Sequence, residues 1–243
     1  MKTFRFAWRC AKEILRDPLT IVFGLGFPLV LLFLLSAIQA NVPAPLYELD
    51  RLAPGITVFG LSFMALFAAT LVAKDRESAF LQRLYTTPLT PTDFIVGYLL
   101  PLLPMAVAQS ALCYVAAACL GLPLTVNVLY AVMMNLPAAV LYIALGLLCG
   151  SVCNVKQVGG LCGALLTNLS AWLSGVWFDL DLVGGAFKKA ATMLPFVHMV
   201  EQERAVLSGR FADAIPHFWP ILAYAVAVTV AAVYLFLRQM KKQ

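Results

Sequence analysis

Six stretches of this chain carry no Asp, Glu, Lys or Arg: Leu19–Gln39, Pro54–Ala73, Phe94–Gly121, Val126–Ser151, Val158–Phe178 and Pro216–Leu237. Each is close to the roughly 20 apolar residues that a helix needs to cross about 30 Å of hydrocarbon. None alternates with the period of two seen in membrane barrel strands, and backbone groups in lipid must find their partners within the segment. The pattern therefore predicts an all-α membrane protein with six transmembrane helices.

Ahead of the first stretch, Thr3–Asp17 predicts a helix of another kind. At 100° per residue, Lys2, Arg5, Arg9, Lys12 and Arg16 fall in a stripe about 80° wide, and Phe4, Trp8, Ala11 and Leu15 line a neighbouring face. A cationic face beside an aromatic-aliphatic one suits a helix lying in the membrane interface. Asp17-Pro18 should end it, because a residue before proline is pushed out of the helical region. Residues 1–18 thus read as an interfacial helix, although a plain retention anchor would give the same pattern.

The connections differ in kind. Ala40–Ala53 is short and broken by Pro43 and Pro45, and Leu122-Pro123-Leu124-Thr125 makes spans three and four a tight hairpin. A few residues around Lys156 join spans four and five. The long connection, residues 179–215, holds apolar islands at Leu180–Val183, Ala190–Leu194 and Phe196–Val200. Pieces of ten residues or fewer cannot span. Short re-entrant helices dipping into the outer leaflet are expected there, with Glu201, Glu203 and Arg204 at the surface.

Residues 74–93 gather charge between two charge-free runs. Phe80, Leu81, Leu84 and Tyr85 recur at i, i+1, i+4 and i+5, one apolar face of a short helix. Lys74, Arg76 and Glu77 precede that helix, Arg83 lies within it, and Thr87-Pro88 stops it. Thr90-Pro91-Thr92-Asp93 then supplies a cap residue, a proline at the first helical position and an acid at the third, which launches span three. The loop reads as a handle for another protein. Anchoring of span ends would account for its charges, but not for the amphipathic face or the Thr-Pro stop.

Composition narrows the class. Apolar residues make up 62% of the 243 and charged ones 12%, about half the soluble norm of roughly 25%. Residues 1–243 read as a single transmembrane domain. Lys and Arg set its orientation: Lys2, Arg5, Arg9, Lys12, Arg16, Lys74, Arg76, Arg83, Lys156, Arg238, Lys241 and Lys242 fall on the N-terminal side, against Arg51, Lys188, Lys189, Arg204 and Arg210. Both termini are expected in the cytoplasm. The net charge of +5 then reports topology and contact with anionic membrane lipid, with no nucleic acid partner. Leu19–Ile38 is too long for the 7–15-residue core of a cleaved signal peptide. The six cysteines show no C-x-x-C and no zinc-like spacing to histidine, and read as small packing residues.

Candidate chemistry is sparse. His198 and His217 have no metal-like spacing and read as interfacial hydrogen-bonding residues. There is no G-x-S-x-G turn and no G-x-x-x-x-G-K-[ST], so the chain should not cradle ATP phosphates by that route. Ion- or proton-coupled carriers place ionisable residues in their spans, whereas these six stretches hold no Asp, Glu, Lys or Arg and His217 lies at the edge of the last, which weighs against a secondary transporter or channel; carbonyl-based ion sites remain open. Gln109, Asn135, Thr167, Asn168, Ser170 and Ser174 could join helices or face a pathway. Phe59, Phe63 and Phe67 form an aromatic stripe at i, i+4 and i+8, either packing or a substrate wall. So apolar an interior suits an amphipathic cargo better than a small hydrophilic ion.

The chain resembles the type-2 exporter permeases of ATP-binding-cassette (ABC) transporters. Their loop after span two commonly reads R-E-x-G-T-L-x-x-L-x-x-T-P, followed by a Gly-Lys pair. Here Arg76, Glu77, Leu81, Leu84, Thr87, Pro88 and Gly97 match, while Ala79, Phe80 and Tyr98 depart. Near the other end Leu173-Ser174-Gly175, Phe178, Pro195 and Arg204 fit the family's pattern, with Asp179 and Leu194 in place of its proline and asparagine.

The resemblance implies a permease subunit, not an enzyme, that pairs with a second permease copy or paralogue and works with a separate ABC ATPase subunit. ATP and Mg would sit on that subunit, with no cofactor on this chain. Glu77–Thr87 would be a cytoplasmic coupling helix between spans two and three, with Arg76, Glu77, Leu81, Arg83, Leu84, Thr87 and Pro88 as its ATPase-coupling residues. Phe63, Phe67, Asn135, Asn168 and Ser174 are the candidate substrate path. The expected setting is a bacterial cell membrane, and the expected activity export of a drug-like or lipid-linked amphiphile, multidrug efflux included.

Overall fold

The computed structural model describes residues 2–42, 47–78 and 90–240, and among them every regular element is a helix. Helix α1 (Lys2–Arg16) precedes α2 (Pro18–Asn41), α3 (Leu49–Glu77), α4 (Pro91–Cys119) and α5 (Val126–Val152). Then come α6 (residues 155–173), α7 (Leu180–Val183), α8 (Gly185–Met193), α9 (Pro195–Leu207) and α10 (Phe211–Met240). Five of these, α2, α3, α4, α5 and α10, are long and apolar enough to cross a membrane. The remaining expected crossing coincides with α6, whose central turns Gly159–Leu166 are π-helical.

The ends follow local chemistry. Asp17 sits in extended backbone after α1, and its carboxylate accepts from the Leu19 N–H at 3.1 Å, capping α2 with Pro18 at the first position. Thr90 and Asp93 cap α4 reciprocally: the Thr90 N–H donates to Asp93 Oδ2 at 2.8 Å and the Asp93 N–H to Thr90 Oγ1 at 3.4 Å. Two helices outrun their charge-free stretches furthest. α3 begins at Leu49 and ends at Glu77, and α10 begins at Phe211. Charge marks where lipid stops, whereas backbone bonding continues into the wet turns on either side.

α3 is the axis of the fold. Its apolar window is 89% buried, against 22% in α2 and in α10. α5 approaches it most closely, through Gly146 and Gly150. A Cβ at Gly146 would lie 2.2 Å from the Ala65 carbonyl oxygen, and one at Gly150 2.6 Å from that of Ala69. Gly-x-x-x-Gly on one helix thus meets Ala-x-x-x-Ala on the other, as close packing in lipid requires.

α1 buries Phe6, Ala7, Cys10 and Ile14 and leaves Phe4, Trp8 and Leu15 exposed. Phe6 meets Phe94 and Tyr98 edge-on at 5.6 and 5.0 Å, in the space left by Gly97. Burial pushes the Cys10 thiol up to about 12, so it packs as an inert, protonated group.

In the long connection, α9 packs against α3, α5 and α10. The surface position expected for Glu203 is not what forms. Phe196, Met199, Val200, Glu203 and Val206 share one helical face, and that whole face is buried. Glu201 and Arg204 are partly buried and paired at 2.8 Å.

Candidate functional site

Four consecutive charged residues, Lys74–Glu77, end α3, and the last three are each held by different elements. Asp75, 1% exposed, accepts both prongs of the Arg9 guanidinium from α1, each at 2.6 Å, and the Tyr98 hydroxyl from α4 at 2.8 Å. Burial alone would lower the Arg9 pKa, but the hydrogen bond and charge of Asp75 outweigh it and raise the pKa well above its usual range. Arg76 donates to the Gly150 carbonyl at 2.7 Å and the Cys153 carbonyl at 3.2 Å, closing the end of α5. Glu77 accepts the Val155 N–H at 2.9 Å, the first backbone donor of α6. Asn154 and Gln157 cap that same helix reciprocally. A push on residue 78 would therefore reach α1, α4, α5 and α6 within one helical turn. Leu81, Arg83, Leu84, Thr87 and Pro88, with the short helix expected over them, lie outside the described residues.

A second polar cluster lies toward the opposite ends of these helices. Glu203 Oε1 accepts from the Tyr114 hydroxyl at 2.6 Å and from Asn135 Nδ2 at 2.7 Å, all three buried. Asn135 marks a break in α5, where Pro137 supplies no N–H. The Met134 carbonyl at the break accepts from Gln202 Nε2 at 3.0 Å. Re-satisfaction by a neighbouring helix is what permits such a break in a membrane.

The ABC-2 type transporter family matches residues 1–208 of this chain. The chain belongs to that family. It is also 27% identical to Nodulation protein J of Bradyrhizobium diazoefficiens over 229 residues, covering 93% of this chain and 85% of that protein. As an ABC-2 type transporter the chain is a permease component, a multi-pass membrane protein of a family that in general works with an ATPase partner.

Two residues of the second motif group, Gly175 and Arg204, meet in space. Gly175, at φ +72°, offers its carbonyl to Arg204 Nη2 at 3.3 Å, while Arg204 Nε reaches the Arg51 carbonyl at 3.3 Å. Arg204 thus ties α9 to the turn after α6 and to the first turn of α3. His198 and His217 also meet, Nδ1 to Nδ1 at 2.8 Å, with His198 Nε2 donating to the Thr192 carbonyl at 3.0 Å. That donation leaves His198 Nδ1 to accept the His217 proton.

The candidate path residues scatter. Phe63 and Phe67 are buried on one face of α3, and Phe63 packs on Phe27 and Phe59 at 5.7 Å. Phe59 continues the stripe to Trp177 at 5.6 Å. Asn135 belongs to the Glu203 cluster. Asn168 is exposed and donates to the Ala164 carbonyl at 2.8 Å; Ser174 is buried and donates to that of Ala171 at 3.1 Å. Sequence reasoning missed Asp75 and Glu203, the two buried carboxylates among the described residues. The face shared by Phe196, Met199, Val200 and Glu203 was the available signal for the second.

Proposed function

We propose that this chain is the membrane half-unit of an ATP-driven exporter, with six crossings (α6 included), both termini cytoplasmic, and a second copy or a paralogue beside it in a bacterial cell membrane. A separate ATPase, carrying ATP and Mg, docks on the loop that follows Glu77. The observation that carries this reading is the anchoring of Asp75, Arg76 and Glu77 to three different parts of the membrane body. Loop residues that only satisfied a charge rule would need no such ties. The excess of Lys and Arg on the α1 side supports the orientation. The apolar span interiors support an amphipathic cargo, drug-like or lipid-linked.

The test is co-purification with the partner ATPase, comparing the native chain with Glu77→Ala and Leu84→Asp. Both variants should insert, and Leu84→Asp should lose the ATPase or its stimulated hydrolysis. Unchanged turnover in both would remove the case for the loop. Glu203 favours a second reading, proton-coupled transport, since buried ionisable groups in membranes serve such relays. Cargo movement by the isolated chain in vesicles, with no ATPase present, would select it.

A further inference from the structure

Beside α1 the molecule holds a cavity of about 780 Å³. Its walls are α1, the Asp17-Pro18 turn and Lys74 at the end of α3. Arg5, Arg9, Lys12, Arg16 and Lys74 line it, against only Glu13 and Asp17 as acids. The acids are already engaged: Glu13 lies 2.9 Å from Arg9, and Asp17 lies 3.9 Å from Lys74. Arg5, Lys12 and Arg16 have no carboxylate within ion-pair distance among the described residues. They recur at i, i+7 and i+11, a row about 16 Å long on one side of α1.

Two features say what such a row would take. Guanidinium and ammonium groups converging on a recess bind phosphate oxygens, Arg through its fork and Lys as a point charge. The rim is apolar: Trp8 also lines the cavity, with the Lys12 ammonium 5.6 Å from its ring centroid, and Leu15 and Leu19 stand exposed beside it. A soluble phosphate has no use for that rim, whereas the glycerol and upper acyl carbons of a lipid would cover it.

We propose that this cavity is a headgroup site for one anionic phospholipid from the leaflet next to α1. Arg5, Lys12 and Arg16 hold the phosphate, and the acyl chains lie against Trp8, Leu15 and Leu19. A lipid held there braces the helix that grips Asp75. The site requires only that the chain is embedded in a membrane; it is independent of cargo and of the ATPase.

The test is native mass spectrometry of the purified intact chain in mild detergent, with mixed phosphatidylglycerol and phosphatidylcholine. One phosphatidylglycerol should be retained over phosphatidylcholine by about tenfold, as three basic side chains near an anionic headgroup allow. Arg5→Gln/Lys12→Gln/Arg16→Gln should abolish most of that preference, whereas Lys188→Gln/Lys189→Gln/Arg210→Gln should keep it. Should the first triple variant not fold, Lys12→Gln alone and a salt series on the native chain should each weaken retention several-fold. Equal retention of the two lipids, a preference indifferent to these changes, or displacement by millimolar inorganic phosphate would overturn the proposal.

Discussion

Arg9 and Asp75 meet in a two-pronged ion pair of 2.6 Å on each prong, 66 residues apart in the chain. Only the carboxylate is fully buried, at 1% exposure; the Arg9 side chain keeps 36%. The loss on breaking the pair should therefore fall below the 3–5 kcal/mol of a fully buried one. Arg9→Gln should cost about 2 kcal/mol, because it takes the guanidinium from the buried Asp75 carboxylate, which still accepts from the Tyr98 hydroxyl. The double variant Arg9→Gln/Asp75→Asn should cost less than the sum of the single changes, as thermal unfolding in detergent would reveal. Strict additivity would mean that the two side chains do not sense each other.

The α3–α5 contact makes a second prediction. In Gly146→Ala the new methyl carbon would stand 2.2 Å from a backbone oxygen, which no rotamer change can move. The helices must part, at a cost of about 1–3 kcal/mol. Gly159→Ala or Gly160→Ala, with nothing within 4 Å, should leave stability unchanged. Equal melting temperatures for Gly146→Ala and Gly160→Ala would contradict the close approach.

Much of this architecture was legible because lipid imposes long apolar runs and a helix in lipid has no alternative partner for its backbone. The Thr90–Asp93 start was legible because capping is local chemistry, and the end of α1 at Asp17-Pro18 because proline restricts the residue before it. What escaped was long-range. No local pattern pairs Arg9 with Asp75, since nothing in either stretch says that α1 folds back onto the end of α3. Gly146-x-x-x-Gly150 was visible, but its partner surface on Ala65 and Ala69 was not. Glu203 was misplaced because the long connection was read by charge; its helical period put it on the apolar face.

Glu77 and Val155 permit a test that separates two roles. Glu77 Oε1 accepts the Val155 N–H, so Val155→Pro deletes the donor while leaving Glu77 in place. Val155 is the first residue of its helix, where proline is well tolerated, and Asn154 before it has the extended backbone that proline demands. If the bond to Val155 is what Glu77 supplies, Val155→Pro and Glu77→Ala should both lose stimulated ATP hydrolysis, with little change in melting temperature. Full activity in Val155→Pro alongside a defective Glu77→Ala would assign Glu77 to direct contact with the ATPase.

Glu203 closes the break in α5 from the side, and its two donors fix what may replace it. Both Tyr114 and Asn135 donate to Oε1, while Oε2 has no partner among the described residues. Glu203→Gln keeps an acceptor for both donors and should change stability by less than about 1 kcal/mol. Glu203→Leu leaves two buried donors empty and should cost about 2–4 kcal/mol. Tyr114→Phe/Asn135→Leu in the Glu203→Leu background should recover part of that loss, because donors removed with their acceptor need no partner. Transport adds the decisive comparison. A cluster that only joins helices lets Glu203→Gln carry cargo at the native rate, whereas a proton relay loses its titrating group in that variant and slows, with its pH dependence flattened.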